Sequence, residues 1–180
     1  MSPSAVASLL NLIETISEYS PDDVGQNLAA LGPFLASSLS AADLSVQIAG
    51  AKASGACIVC IEDEGARSAF KPALDPIISI LGKALANGDE EEATIIMDHL
   101  VTITVMQPMF FKGALDGVVS AMAIVASSEG FEFSTRSMAL ELMVSLSESA
   151  PVLARRCPAL ISGIVPLAMA LMTSVEETER

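Results

Sequence analysis

The chain has 180 residues, an ordinary length for one domain, and 52% of them are hydrophobic. An intrinsically disordered chain is excluded, because disorder requires low hydrophobicity and a large share of charge, and only 17% of these residues are charged. The net charge of -13 provides no broad attraction for phosphate backbones, so we predict no direct binding of nucleic acid and expect a basic partner instead.

Apolar residues at helical spacing predict eight helices arranged in four consecutive pairs. In chain order the helices cover residues 4–19 and 21–39, 42–63 and 65–86, 89–106 and 108–128, and 134–149 and 151–174. An acidic tail follows at 175–180. Pro33, Pro76 and Pro166 lie inside predicted second helices, where proline kinks a helix or breaks it locally.

The helix pairs are related by an internal sequence repeat. Pro108 and Pro151 are 43 residues apart, and residues 98–103 align without gaps with residues 141–146 at the same distance. The second helices repeat an apolar stripe, in which Phe70, Leu74, Ile77 and Leu81 recur 41 residues later as Phe111, Leu115, Val118 and Met122. A two-helix repeat of this length is typical of HEAT proteins. The sequence therefore predicts an all-α fold, a right-handed α-solenoid of about four HEAT repeats that spans residues 1–180 as one segment.

The repeat also decides how the most reactive side chains are interpreted. Cys57 and Cys60 have the spacing of a redox dithiol or of half a zinc site, which is one alternative. In the repeat they align with Leu100 and Ile103, which predicts that both face the core. His99 is expected at the margin of the core, satisfied by a nearby carbonyl. With no nucleotide-binding, hydrolase or metalloprotease motif, we predict neither an enzyme nor a cofactor.

Two groups of residues are candidates for binding a partner. The first is a polar ladder on the far side of the second helices, where Lys71, Asp75 and Ser79 recur as Lys112, Asp116 and Ser120. A repeated polar face is where solenoids bind partners, and the alternative is a solvated face whose i, i+4 ion pairs contribute only ~0.3–0.5 kcal/mol. The second group is the acidic run Glu90, Glu91 and Glu92 between two pairs, which either caps a helix and aids solubility or attracts a basic peptide.

A membrane span is considered because residues 157–175 include no charge over 19 positions, the lower limit for a transmembrane helix. Pro158, Gly163 and Pro166 interrupt this stretch, and the repeat gives it an ordinary place as a second helix. We therefore predict no membrane span.

Residues 137–151 read Ser-Met-Ala-Leu-Glu-Leu-Met-Val-Ser-Leu-Ser-Glu-Ser-Ala-Pro and resemble a HEAT helix of the importin-β superfamily, most closely its importin-five (karyopherin-β-three) branch. The likeness continues through Arg155-Arg156, residues 164–172 and the acidic residues 175–179. The resemblance implies a nuclear import receptor that moves protein cargo between cytoplasm and nucleus and binds the Ran GTPase and phenylalanine-glycine (FG) nucleoporins. It also implies that the chain is an internal segment of a longer receptor. The alternative within this class is a HEAT scaffold for another assembly, such as a phosphatase.

Overall fold

The fold is known from a computed structural model, which describes the backbone of residues 2–178 and the side chains of residues 2–173. Every regular element in this part of the chain is helical, so the all-α prediction is confirmed. Short 3₁₀ turns lie at Lys71–Ala73 and Pro108–Phe111. The α-helices are α1 (Pro3–Tyr19), α2 (Pro21–Leu39), α3 (Leu44–Cys60), α4 (Glu64–Ser68), α5 (Leu74–Asn87), α6 (Glu90–Met106), α7 (Leu115–Ser127), α8 (Phe133–Ser149), α9 (Pro151–Ala154) and α10 (Pro158–Thr178).

Each of the last three pairs was predicted to have one long second helix, with a kink or local break at Pro76 and Pro166, and the position of the breaks is wrong. Each second helix begins with a short helical piece, which a turn separates from the long helix that follows. Pro72 lies in the first break, Gly113 in the second, and Pro158 starts the long helix after the third. Proline lacks an N–H group and disfavours the α conformation in the residue before it, which favours a new helix start at Pro72 and Pro158, and glycine destabilises a helix interior at position 113.

The three prolines that were expected to interrupt the second helices do not break them. Both α2 and α10 continue through Pro33 and Pro166, and Pro76 lies in the first turn of α5, where no helical partner is needed for its nitrogen. The last helix also extends past the predicted end at residue 174. The side chains of the predicted acidic tail, 175–180, lie outside the described residues.

The chain divides into two compact units, Met1–His99 and Leu100–Arg180, and the division falls within α6. In the first unit, α3 packs against α1, α2 and α5. In the second unit, α8 packs against α7, α9 and α10. No helix among the described residues has both the length and the apolar character needed to cross a membrane.

Two buried arginines donate hydrogen bonds to backbone carbonyls at helix C-termini. Arg67 donates from Nε to the Ile58 carbonyl at 3.2 Å and from Nη2 to the Ile61 carbonyl, both at the end of α3. Arg136 donates from Nε to the Ala126 carbonyl at 3.2 Å, at the end of α7. The last carbonyls of a helix lack the helical N–H donors that the earlier ones have, so these guanidinium groups supply donors to carbonyls at the ends of α3 and α7.

Helix α3 is surrounded by other helices, with Val46 and residues 48–58 all buried. Small residues in α3 allow the neighbouring helix α2 to pack close to its backbone. A Cβ atom at Gly50 would overlap the Ser38 hydroxyl and lie 2.9 Å from Ser38 Cβ and 3.3 Å from its backbone carbon. Ser38 is itself buried and donates to the Leu35 carbonyl at 2.7 Å, so it has little freedom to move aside. Gly50 is thus a point where α2 and α3 meet at backbone distance.

We expect Gly50→Ala and Gly82→Ala to change stability in opposite directions. The first should lower the free energy of unfolding by about 1–3 kcal/mol, because it overpacks the contact with Ser38. The second should raise it by about 0.5–1 kcal/mol, because Gly82 lies inside α5 with nothing within 4 Å of its Cβ position and alanine is the better helix former. Urea denaturation of both variants measures the two changes, and changes of the same sign would contradict the close contact.

Candidate protein-binding site

The residues of the polar ladder are exposed, but two of them do not lie on the second helices as the sequence predicts. Opposite the ladder, the apolar stripe is buried, with Leu74, Ile77 and Leu81 in the first unit and Leu115, Val118 and Met122 in the second. All six ladder residues are exposed: Lys71, Asp75, Ser79, Lys112, Asp116 and Ser120. Asp75 and Ser79 lie on α5 and Asp116 and Ser120 lie on α7, whereas Lys71 and Lys112 precede these helices.

Lys71 and Asp75 do not form the ion pair that the alternative interpretation requires. Lys71 begins the 3₁₀ turn at 71–73, and α5 starts only at Leu74. The i, i+4 spacing brings side chains together only on a continuous α-helix. Neither side chain has an ion-pair partner among the described residues, so the Asp75 carboxylate is open to a basic group from a partner.

Asp116 lies beside a cysteine. The thiol of Cys157 is 2% exposed, and burial raises its pKa, as does the neighbouring Asp116 carboxylate. Asp116 is itself exposed, at the same place relative to its buried stripe as Asp75. The two aspartates are therefore equivalent in exposure and position within their repeats, and only Asp116 has a protein neighbour of this kind.

The acidic run at the start of α6 is not a uniform cluster. Glu91 is exposed, whereas the carboxylate of Glu92 lies 2.8 Å from the ammonium group of Lys52. Lys52 also lies 3.2 Å from the carboxylate of Glu14 in α1. The Glu92 charge is thus partly compensated within the protein by a lysine that Glu14 shares, which leaves Glu91 as the more accessible acidic group of this run.

The Lys52 ion pairs are a feature that the sequence analysis did not anticipate. Lys52 belongs to the buried helix α3, and its side chain is 10% exposed. Burial acts against its charged form, but the hydrogen bond and charge of Glu92 and of Glu14 outweigh it, so the pKa of Lys52 is raised. In the sequence, Lys52 stands out as the one charged residue of the otherwise uncharged stretch 44–61. Such a charge inside an apolar helix calls for partners of opposite charge.

The two cysteines face inward, as the repeat predicts. Cys57 is fully buried and lies 3.4 Å from the hydroxyl of Ser17, and the half-buried Cys60 donates its thiol proton to the Ser17 carbonyl at 2.8 Å. Burial raises the pKa of Cys57 to about 11 and also raises the pKa of Cys60. Both thiols therefore stay protonated near neutral pH and link α3 to α1, which is the opposite of an activated dithiol.

We expect the native thiols to react slowly with a disulfide reagent such as DTNB at pH 8. With a pKa of about 11, only about one Cys57 side chain in a thousand is a thiolate at that pH. In the native protein, less than one thiol per chain should react rapidly, whereas in urea all three cysteines should react. Two rapidly reacting thiols in the native state would restore the redox interpretation.

His99 lies at the margin of the core, as predicted, but the expected carbonyl partner is absent for one nitrogen. Its Nδ1 is buried with no hydrogen-bond partner in the described structure, and the ring packs against the backbone of Gly55. Burial lowers the pKa of His99, although the charges of Glu14, Asp98 and Glu18 act in the other direction. No group of three or more histidine, cysteine or carboxylate side chains in the described part of the chain could hold a metal ion.

Comparison with known proteins assigns the chain to a family. Residues 2–121 match the family described as "IPO5-like, TPR repeats", and residues 128–180 match the family described as "Importin repeat". No curated protein matches the sequence.

Solved structures of the karyopherin Kap121p share the fold. The structure of Kap121p itself is 21% identical over 98% of this chain, with a TM-score of 0.78. Kap121p bound to Nup53p is 21% identical over 97% of the chain with a TM-score of 0.77, and Kap121p bound to RanGTP is 22% identical over 81% with a TM-score of 0.71. The chain spans only 17% of the first two of these proteins and 14% of the third.

These matches confirm the α-solenoid class and the resemblance found in the sequence. The family match covers the first unit and continues into the second, and the importin repeat covers most of what remains. The chain is a HEAT-repeat segment of the importin-β superfamily and belongs to the IPO5-like family.

Proposed function

We propose that the chain is a cargo-binding segment of a nuclear transport receptor and that it acts by binding rather than by catalysis. It binds basic segments of protein cargo through acidic side chains on its long second helices. The observation that carries the proposal is the pair Asp75 and Asp116, both exposed opposite a buried stripe and separated by one repeat length of 41 residues.

Charge supports a basic partner. The chain has 22 acidic and 9 basic residues, so a basic peptide is attracted from a distance before any contact forms. Asp75 has no internal ion pair, so a cargo lysine or arginine can approach it without displacing a protein group. Glu91 adds an exposed charge, whereas Glu92 contributes less because it is paired with Lys52.

The remaining partners belong to the whole receptor. The structure of Kap121p bound to RanGTP supports Ran as a partner of the longer protein. The family resemblance adds FG nucleoporins and movement between cytoplasm and nucleus. Lysate capture with and without GTP-loaded Ran tests these partners, since a receptor releases its cargo when Ran-GTP is present.

Fluorescence anisotropy with a labelled lysine-rich nuclear-localisation peptide tests the acidic face. We expect the double variant Asp75→Asn/Asp116→Asn to bind about threefold to tenfold more weakly at low salt, since each exposed charge pair contributes ~0.2–1 kcal/mol. The affinity of the unmodified chain should also fall as salt rises, because exposed charges are screened.

The matched control is Glu62→Gln/Glu141→Gln, which removes the same two charges, one exposed carboxylate from each unit, away from the ladder. This control should bind within twofold of the unmodified chain. Equal losses in the two double variants would mean that net charge alone attracts the peptide. No loss in either, with no dependence on salt, would contradict the proposed function.

A further inference from the structure

An apolar groove of about 540 Å³ lies in the first unit and plays no part in the binding of a basic peptide. One wall is α2, which contributes Leu28, Leu35 and Leu39. The other wall is the segment 69–76, which contributes Phe70 and Pro76. We call this space the α2–α5 groove. None of its lining residues carries a charge, and the neighbouring Lys71 and Asp75 do not line it.

One residue that lines this groove has a buried hydroxyl without a partner. Ser54 is the one lining residue that comes from α3, and it is 1% exposed. Among the residues that the structure describes, its Oγ has no hydrogen-bond partner. Buried hydroxyls elsewhere in these helices bond to a carbonyl three or four residues earlier, as Ser38 does to Leu35 at 2.7 Å and Ser17 to Ile13 at 2.8 Å. The Ser54 hydroxyl does not make this bond, which leaves it available to a molecule in the groove.

We infer that the α2–α5 groove binds a small neutral molecule that is mostly apolar and has one hydrogen-bonding group directed at the Ser54 hydroxyl. The volume lies within the ~300–1,000 Å³ typical of small-molecule sites, which combine an apolar lining with a few placed polar groups. A charged ligand would lose its hydration without gaining an opposite charge in the lining.

The polar groups of the groove favour a small molecule over a peptide. An extended peptide brings an N–H and a carbonyl with nearly every residue, and each must find a partner when it is buried. Among its side chains the lining offers only the hydroxyls of Ser40 and Ser54, and Ser40 already donates to the Ala36 carbonyl at 3.5 Å. One free hydroxyl matches a ligand with one polar group. This inference does not depend on the proposed function.

The test uses acetophenone and ethylbenzene, which have similar shapes and differ by one carbonyl oxygen. Titration is followed by NMR on the ¹⁵N-labelled chain. Both probes should shift the amide signals of residues around the groove, including Leu35 and Phe70. Acetophenone should bind about fivefold more tightly, which is the effect of one hydrogen bond.

Three variants separate the parts of the inference. Ser54→Ala should abolish the preference for acetophenone and leave the affinity for ethylbenzene within twofold. It should not impair folding, because the hydroxyl that it removes has no partner. Ala36→Phe places a ring in the groove and should weaken both probes at least tenfold. Ala30→Phe is the matched control, since Ala30 is exposed on the same helix but does not line the groove, and it should change neither affinity by more than twofold.

Three outcomes would overturn the inference. Absence of shifts with both probes would show that the groove does not bind such molecules. A preference for acetophenone that survives in Ser54→Ala would remove the assigned role of the hydroxyl. A basic peptide that shifts the groove amides while neither probe does would assign the groove to peptide binding instead.

Discussion

Replacing Lys52 by methionine is expected to lower the free energy of unfolding by about 3 kcal/mol or more, because it leaves the mostly buried carboxylate of Glu14 without its counter-charge. Methionine keeps most of the volume, so the loss reports the charge rather than a cavity. Urea denaturation measures the change. Lys83→Met is the matched control, since Lys83 is exposed and its ammonium group only donates to Gln47 at 3.0 Å, and it should cost less than about 0.5 kcal/mol.

Two further measurements show whether charge is the cause. Adding Glu14→Gln to Lys52→Met should recover at least about 1 kcal/mol, because the uncompensated carboxylate is removed. The pH dependence has a definite sign. Because the pKa of Lys52 is raised above its usual 10.5 in the folded state, its contribution is fully present below pH 10.5 and is lost as pH rises through the folded pKa. Equal stabilities of Lys52→Met and Lys83→Met would contradict the buried ion pairs.

The second large effect concerns two buried leucines, Leu142 on the first helix α8 and Leu74 in the apolar stripe of α5. Leu142→Ala and Leu74→Ala should each lower the free energy of unfolding by about 2–5 kcal/mol, because the side chains are 0% and 2% exposed and their loss leaves a cavity. Leu12→Ala is the control, since Leu12 on α1 is 53% exposed and should lose less than about 1 kcal/mol. Thermal or urea denaturation checks all three. A loss below half a kcal/mol at both buried positions would mean that the stripes are assigned to the wrong face.

Helix periodicity allowed the stripes and the exposed ladder to be predicted, because both depend on residues three or four apart on one helix. Leu74 and Asp75 are adjacent in the chain and lie about 100° apart around the helix, which allows one to be buried while the other is exposed. The breaks before α5, α7 and α10 were missed, because helical spacing in the long stripe is preserved on either side of a turn. A stripe therefore predicts which face is buried more reliably than where its helix begins.

The site features that could not be predicted depend on contacts between distant parts of the chain. Glu14 lies 38 residues before Lys52, and Glu92 lies 40 residues after it, so no local pattern joins them. The orphaned hydroxyl of Ser54 depends on its side-chain orientation, which the residue type does not determine. The lone lysine in α3 was visible in the sequence, but its partners were identified only when α1 and α6 were placed beside it.

The burial of α3 on every side determines how the first unit comes apart. A helix with one solvent-facing side can fray or detach while its neighbours remain folded, but α3 contacts α1, α2 and α5 together. Separating it removes the packing surface of each of those helices at once and opens the Lys52 ion pairs and the Ser17 hydrogen bonds in the same event. We therefore expect no stable, partly open state of the first unit in which α3 alone is detached. The first unit should unfold cooperatively, although it is built from a repeating and largely local pattern.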